Sequence, residues 1–74
     1  MSRAPDRSVM LDSSVLASMT YSAEATLDLC FRSGTIYRYF AVPPRVVDAL
    51  LVAPSKGAYF NRHVKTQFRY QRLA

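Results

Sequence analysis

Apolar and polar residues alternate in three stretches of the chain, which is the period-two pattern of β-strands. The stretches cover residues 15–21, 27–32 and 35–40. A polar segment separates the first two, and an Arg-Ser-Gly hairpin signal separates the last two. The pattern therefore predicts a three-stranded antiparallel β-meander.

The loop of the second hairpin decides which way its tyrosines face. A two-residue loop sets Leu29 opposite Arg38 and places a charge on the apolar face of the sheet. A three-residue loop with Gly34 in the left-handed conformation sets Leu29 opposite Tyr37 and pairs Arg38 with Asp28 on the other face. We expect the three-residue loop, because a slip of one residue exchanges the two faces completely.

Two short helices are predicted after the strands. Proline fits a first helical turn, so Pro44 should open a helix that runs to about residue 53 and packs its Val46 and Leu50 side on the sheet. Ser55 should cap a second helix that begins near Lys56. The fold class is therefore α+β.

The end of the second helix is left open by the pattern. Phe60, Val64 and Phe68 are four residues apart and would form one stripe of a long helix. Residues 68–71 also alternate as an edge strand does, which predicts a short C-terminal extended segment instead.

Composition and length indicate one small domain. Residues 1–11 are expected to be a disordered leader and residues 12–74 a single domain, in a chain that is 50% apolar and 12% aromatic. A core of this size supplies only roughly 3–5 kcal/mol, so we expect tight aromatic packing or a homo-oligomer. The single cysteine, with no signal peptide and no long apolar run, favours a cytoplasmic protein that does not enter membranes.

Positive charge is concentrated at the C-terminal end. Residues 56–74 contain no acid and carry a charge of +5, which equals that of the whole chain. Aromatic residues are interleaved with these cations, a combination that suits RNA or single-stranded nucleic acid. A solvated helix face is an equally good interpretation. The cations are Lys56, Arg62, Lys65, Arg69 and Arg72.

Two further groups are candidates for ligand binding. Ser55, Lys56 and Gly57 precede a helix and could hold a phosphate or small anion, although an ordinary helix cap is the simpler interpretation. Arg38 and Tyr59 are candidates for stacking on bases.

Nothing in the sequence predicts catalysis. Paired acids, a nucleophile elbow and metal-ligand spacing are missing, so we expect no enzyme activity, metal or cofactor. The leading prediction is a nucleic-acid-binding module. The alternative is a protein-interaction module that docks an acidic partner or a partner strand at the edge of the sheet.

Three segments together resemble the KTSC domain family, which is named after the C-terminus of some lysyl-tRNA synthetases. They read FRSGTIYRYFAVP at residues 31–43, SKGAYFNRHV at 55–64 and FRYQRL at 68–73. The resemblance covers residues 12–73 and implies the α+β fold, a helix that ends before residue 68, and RNA binding through the synthetase association. The positions that carry it are Tyr21, Gly34, Tyr37, Tyr39, Val42, Pro43, Ser55, Lys56, Gly57, Phe60, Asn61 and Tyr70.

Overall fold

The structure is a computed structural model that describes residues 7–74. Its five strands form one antiparallel sheet in chain order, and its two helices connect the fourth strand to the fifth. The α+β class is confirmed, but the sheet has five strands rather than three. The last strand is the short C-terminal extended segment that the pattern left open, and the first strand was not predicted. The elements are β1 (Arg7–Met10), β2 (Leu16–Tyr21), β3 (Leu27–Phe31), β4 (Ile36–Tyr39), α1 (Pro44–Val52), α2 (Lys56–His63) and β5 (Tyr70–Arg72).

Strand β1 lies inside the segment that was expected to be a disordered leader. It pairs with β2 from Arg7 opposite Tyr21 to Met10 opposite Ser18. Leu11, which follows it, is only 4% exposed and belongs to the core. Residues 7–11 of the expected leader thus form a strand and add a side chain to the core, and its first six residues lie outside the described part of the chain.

The β3–β4 hairpin has the predicted three-residue register. Leu29 pairs with Tyr37 and Asp28 pairs with Arg38. Gly34 has a φ of +94°, a backbone conformation that glycine adopts without the strain caused by a Cβ atom. The tyrosines of β4 consequently join the leucines of β3 on the core side of the sheet.

A bulge in β2 changes the face that its first residues present. Leu16 pairs with Phe31 but Ser18 pairs with Cys30, so the register shifts between them. An extra residue in one strand reverses the alternation that follows it. As a result Leu16 is fully buried on the same face as Met19, although simple alternation along β2 would put these two residues on opposite faces of the sheet.

Both helices pack on the same side of the sheet, here called the helix side. Helix α1 begins at Pro44, as predicted. It buries Val47 and Leu50 completely, whereas Val46, which was predicted to face the sheet with Leu50, is only partly buried. Helix α2 is capped by the Ser55 hydroxyl, which accepts from the Ala58 amide at 3.3 Å. It ends at His63, so the C-terminal residues form β5 rather than a longer helix.

The opposite side of the sheet, here called the open face, is polar along its middle row. Strand pairing places five residues in line across all five strands: Ser8, Thr20, Asp28, Arg38 and Gln71. The hydroxyls of the first two lie 3.0 Å apart, and the central acid and arginine form an ion pair.

Candidate nucleic-acid interface

Helix α2 is flanked on one side by a cavity of about 500 Å³, here called the aromatic cavity. Strands β4 and β5 contribute one wall and α2, with the turn after it, contributes the other. Its lining is mainly aromatic and contains one cation and no carboxylate. The lining residues are Val15, Phe31, Tyr37, Tyr39, Phe60, Asn61, Lys65, Thr66 and Tyr70.

The rings of the aromatic cavity hold one another edge to face. The Tyr37 and Tyr70 ring centroids are 5.5 Å apart at 81°, and those of Tyr39 and Phe60 are 5.7 Å apart at 76°. Such contacts add to the energy gained by burial and fix the ring orientations. Tyr39 and Phe60 are nearly buried, whereas Tyr70 is 60% exposed, so the cavity has a fixed floor and an accessible rim.

The Tyr39 hydroxyl is the most unusual polar group of the cavity. The residue as a whole is only 3% exposed, but its hydroxyl is not a buried atom: it makes no hydrogen bond within residues 7–74 and is accessible from the cavity. Burial, together with the neighbouring Tyr37 and Tyr70, raises its pKa to about 12. At neutral pH the cavity therefore contains a protonated phenol that is able to donate.

A second depression, here called the inter-helix cleft, lies between α1 and α2 and has a volume of about 530 Å³. Arg45 of α1 and Arg62 and His63 of α2 line it, and its lining contains no carboxylate. The Tyr59 ring lies against the His63 ring, with centroids 4.6 Å apart at 34°. Cations and an aromatic surface are thus brought together by helix packing.

The Ser55 to Gly57 segment borders a separate cavity that Asp12 also lines. Ser55 caps α2, and the Lys56 ammonium donates to the Ala53 carbonyl at 3.3 Å. An acid near the site opposes anion binding, and Lys56 already has a local partner. The geometry favours an ordinary helix cap here.

The other candidate cations are dispersed. Arg38 lies on the open face, where it donates to both Asp28 oxygens at 2.8 and 2.9 Å. This hydrogen bonding and the charge of Asp28 raise the pKa of the Arg38 guanidinium. Arg69 is exposed just before β5, and Arg72 lies on the helix side opposite Tyr37, donating to the Ala74 oxygen at 2.9 Å.

The predicted cations therefore do not lie together on one helix face. Of the predicted residues, Tyr59 and Arg62 meet in the inter-helix cleft, while Lys65 lines the aromatic cavity. Arg45 and Asn61 were missed as site residues. Arg45 is an exposed residue of α1, and only the packing of α1 on α2 brings it to the same cleft as Arg62.

Asn61 of α2 is exposed at the aromatic cavity, and its side chain makes no hydrogen bond to residues 7–74. An amide with free donors and acceptors beside exposed rings is a suitable group for contacting a planar polar ligand.

No group of three or more metal-ligating side chains is found among residues 7–74. Neither described helix is long and apolar enough to cross a membrane.

Comparison with known proteins agrees with this architecture. A family model for the KTSC domain matches residues 12–68. The chain belongs to the KTSC domain family. The match includes β2 to β4 and both helices, and therefore the residues that build most of the aromatic cavity and all of the inter-helix cleft.

Relatives of this KTSC domain occur both as small proteins and within larger ones. The chain is 51% identical over 67 residues to an uncharacterized protein of Stutzerimonas stutzeri, covering 88% of this chain and 94% of that protein. It is 41% identical over 64 residues to a lysine–tRNA ligase of Nostoc punctiforme, covering 85% of this chain but 11% of the ligase. The crystal structure of a KTSC domain protein from Yersinia pestis matches with a TM-score of 0.88 at 27% identity, covering 95% of this chain and 100% of that one.

Proposed function

We propose that this KTSC domain is a non-catalytic module that binds single-stranded nucleic acid, with RNA as the first candidate, through its helix side. One observation carries the proposal. The two depressions that flank α2 contain aromatic rings and the cations Arg45, Arg62 and Lys65, and neither is lined by a carboxylate.

The distribution of acids supports this choice of surface. Within residues 7–74, Asp28 pairs with Arg38 on the open face and Asp48 lies 3.4 Å from Arg7. Asp12 borders the separate cavity at the start of α2. No acid lines either depression beside α2, so the cations there are available for an anionic chain. Phosphate neutralisation is the main source of affinity for nucleic acids.

The exposed rings favour a single strand over a duplex. Bases in a single strand are accessible from both faces and stack on aromatic side chains with little dependence on sequence. Tyr70, at 60% exposure, and Tyr59, beside His63, provide such surfaces on either side of α2. The similarity to part of a lysine–tRNA ligase is further support for RNA, although the chain spans only 11% of that protein.

The proposal is tested by fluorescence anisotropy with labelled single-stranded RNA, a duplex and an acidic peptide of similar charge, each over a salt series. We expect binding to the single strand that falls steeply with salt. Arg62→Gln should weaken it and reduce the salt slope by about one. Arg38→Gln is the matched control, because it removes the same charge from the open face.

The possible results separate the alternatives. Equal binding of RNA and peptide would show attraction by charge alone and contradict the proposal. Preference for the acidic peptide would indicate the protein-interaction alternative. Equal loss of RNA binding in Arg38→Gln and Arg62→Gln would show that the helix side is not the binding surface.

A further inference from the structure

The aromatic cavity has features that the proposed function does not need, because phosphate contacts and surface stacking require no enclosed site. We infer that this cavity receives one unpaired base of the bound strand. The inference rests on the proposed function and adds a specific site to it: the base enters beside α2, Tyr39 and Asn61 contact its polar edge, and Lys65 contacts an adjacent phosphate.

The size and lining of the cavity suit a planar heterocycle. Its volume of about 500 Å³ lies within the roughly 300–1,000 Å³ that is usual for small-ligand sites. Tyr39 and Phe60 form its buried floor, and the more exposed Tyr70 offers a ring at its rim. A base that enters between these rings exchanges water for aromatic contacts on its faces, which is how unpaired bases are commonly held.

The Tyr39 hydroxyl, at the floor of the cavity, favours a polar ligand over an apolar one. Tyr21, on the same side of the sheet, satisfies its hydroxyl by donating to the Val42 carbonyl at 2.6 Å. The Tyr39 hydroxyl has no such partner within residues 7–74 and is accessible from the cavity, so a ligand there can bond to it. An apolar protein side chain in the cavity would cover this hydroxyl without satisfying it, which is unfavourable. The ring nitrogens and carbonyl oxygens of a base can accept a hydrogen bond from this hydroxyl.

Two side chains at the entrance complement a nucleotide. The Asn61 amide offers both donors and an acceptor, and it makes no hydrogen bond to residues 7–74. Lys65 is the one cation of the lining, and no acid neutralises it there. An amide for the base and an ammonium for the phosphate match the two polar parts of a nucleotide.

The experiment compares two short strands with the same number of phosphates. One consists only of abasic units, and the other carries a single central base. Stacking of one base on protein rings raises affinity several-fold. We therefore expect the strand with the single base to bind roughly fivefold or more tightly than the abasic strand. Anisotropy with the labelled strands measures this gain for each of the four bases.

Three variants then locate the base. Asn61→Ala and Tyr39→Phe remove one polar group each while leaving the rings of the floor in place, and Tyr70→Leu removes the exposed ring. Each should reduce the gain from the single base without changing affinity for the abasic strand. Gln71→Ala is the matched control, since residue 71 follows Tyr70 in β5 but belongs to the open face.

The results distinguish failure of this inference from failure of the proposed function. Equal, salt-dependent binding of both strands would overturn the base site and leave a phosphate-binding module. A gain that persists in both Tyr39→Phe and Tyr70→Leu would place the base elsewhere and also overturn the inference. Absence of binding to these strands and to ordinary single-stranded RNA would overturn the proposed function itself.

Discussion

Arg38 donates to both carboxylate oxygens of Asp28, at 2.8 and 2.9 Å, across the β3–β4 pair. The two residues lie in the middle row of the open face, on the side of the sheet away from both helices. A guanidinium held at two points by a carboxylate has its charge largely neutralised locally. Arg38, which the sequence suggested as a stacking group, is therefore a structural residue of the sheet.

The first prediction concerns this division between the two faces. Arg38→Gln should leave affinity for single-stranded RNA nearly unchanged and lower the melting temperature, because it leaves Asp28 without its partner. Arg45→Gln should weaken RNA binding and leave the melting temperature nearly unchanged, because Arg45 is exposed at the inter-helix cleft. Anisotropy measures the RNA affinity of both variants, and thermal unfolding measures their melting temperatures. Weakened RNA binding in Arg38→Gln but not in Arg45→Gln would contradict binding through the helix side.

The second prediction tests β1, the strand that the sequence did not reveal. Leu11→Ala should lower the free energy of unfolding by about 2 kcal/mol or more, because the side chain is 4% exposed and its loss leaves a cavity. Met10→Ala, at a neighbouring position that is 79% exposed, should change it by no more than about 0.5 kcal/mol. Urea unfolding provides both values. Equal, small effects would mean that residues 7–11 do not contribute to the fold.

The third prediction compares the two glycines. An added Cβ at Gly34 meets nothing within 4 Å, but φ there is +94°, so Gly34→Ala should cost about 1–2 kcal/mol through backbone strain alone. Gly57 lies in the first turn of α2, where an added Cβ would sit 3.4 Å from the Val15 side chain, an ordinary contact. Gly57→Ala should therefore keep or slightly raise stability, since alanine favours helices. Denaturant midpoints that fall equally in both variants would refute this comparison.

The fourth prediction concerns alkaline pH. The pKa of Tyr39 is raised from 10.0 to about 12, so the folded state favours the protonated phenol. Its contribution to stability is fully present below pH 10 and is lost as the pH rises towards 12. The urea midpoint of the wild type should fall more steeply over this range than that of Tyr39→Phe, in which the ring remains but cannot ionise. Lysines titrate in both proteins, so their effect cancels when the two urea midpoints are subtracted. Midpoints that fall in parallel with pH in the two proteins would contradict the raised pKa of Tyr39.

Local patterns in the sequence were sufficient for the central hairpin and the start of each helix. The register of β3 and β4 followed from one glycine and from the need to keep Arg38 off the apolar face. Pro44 and Ser55 marked the starts of α1 and α2 because each fits a first-turn or capping position on local grounds. These features depend on few residues that are close in the sequence.

The missed features depend on distant contacts. Strand β1 has four residues, and its ordering comes from pairing with β2 and from burial of Leu11, neither of which a short alternation reveals. The bulge before Ser18 likewise reversed the expected face of Leu16. An extra residue in a strand has no compositional signal of its own.

The sequence predicted which types of residue the candidate site contains, but not how they are arranged in space. Charge counting identified the C-terminal segment, but α2 ends at His63, so its cations could not remain on one helix face. The packing of α1 on α2 added Arg45 to Arg62, and the return of β5 beside β4 placed Tyr70 over the aromatic cavity. Such groupings are products of tertiary structure.

The most direct test of the central claim is a two-dimensional amide NMR titration of the protein with single-stranded RNA. Asn61 is the only asparagine of the chain, so its side-chain amide can be assigned by Asn61→Ala. We predict that this amide and the backbone amides of Arg62, Lys65 and Tyr70 shift progressively as RNA is added. Shifts confined to the open face, around Thr20 and Arg38, or none at all, would contradict binding through the helix side.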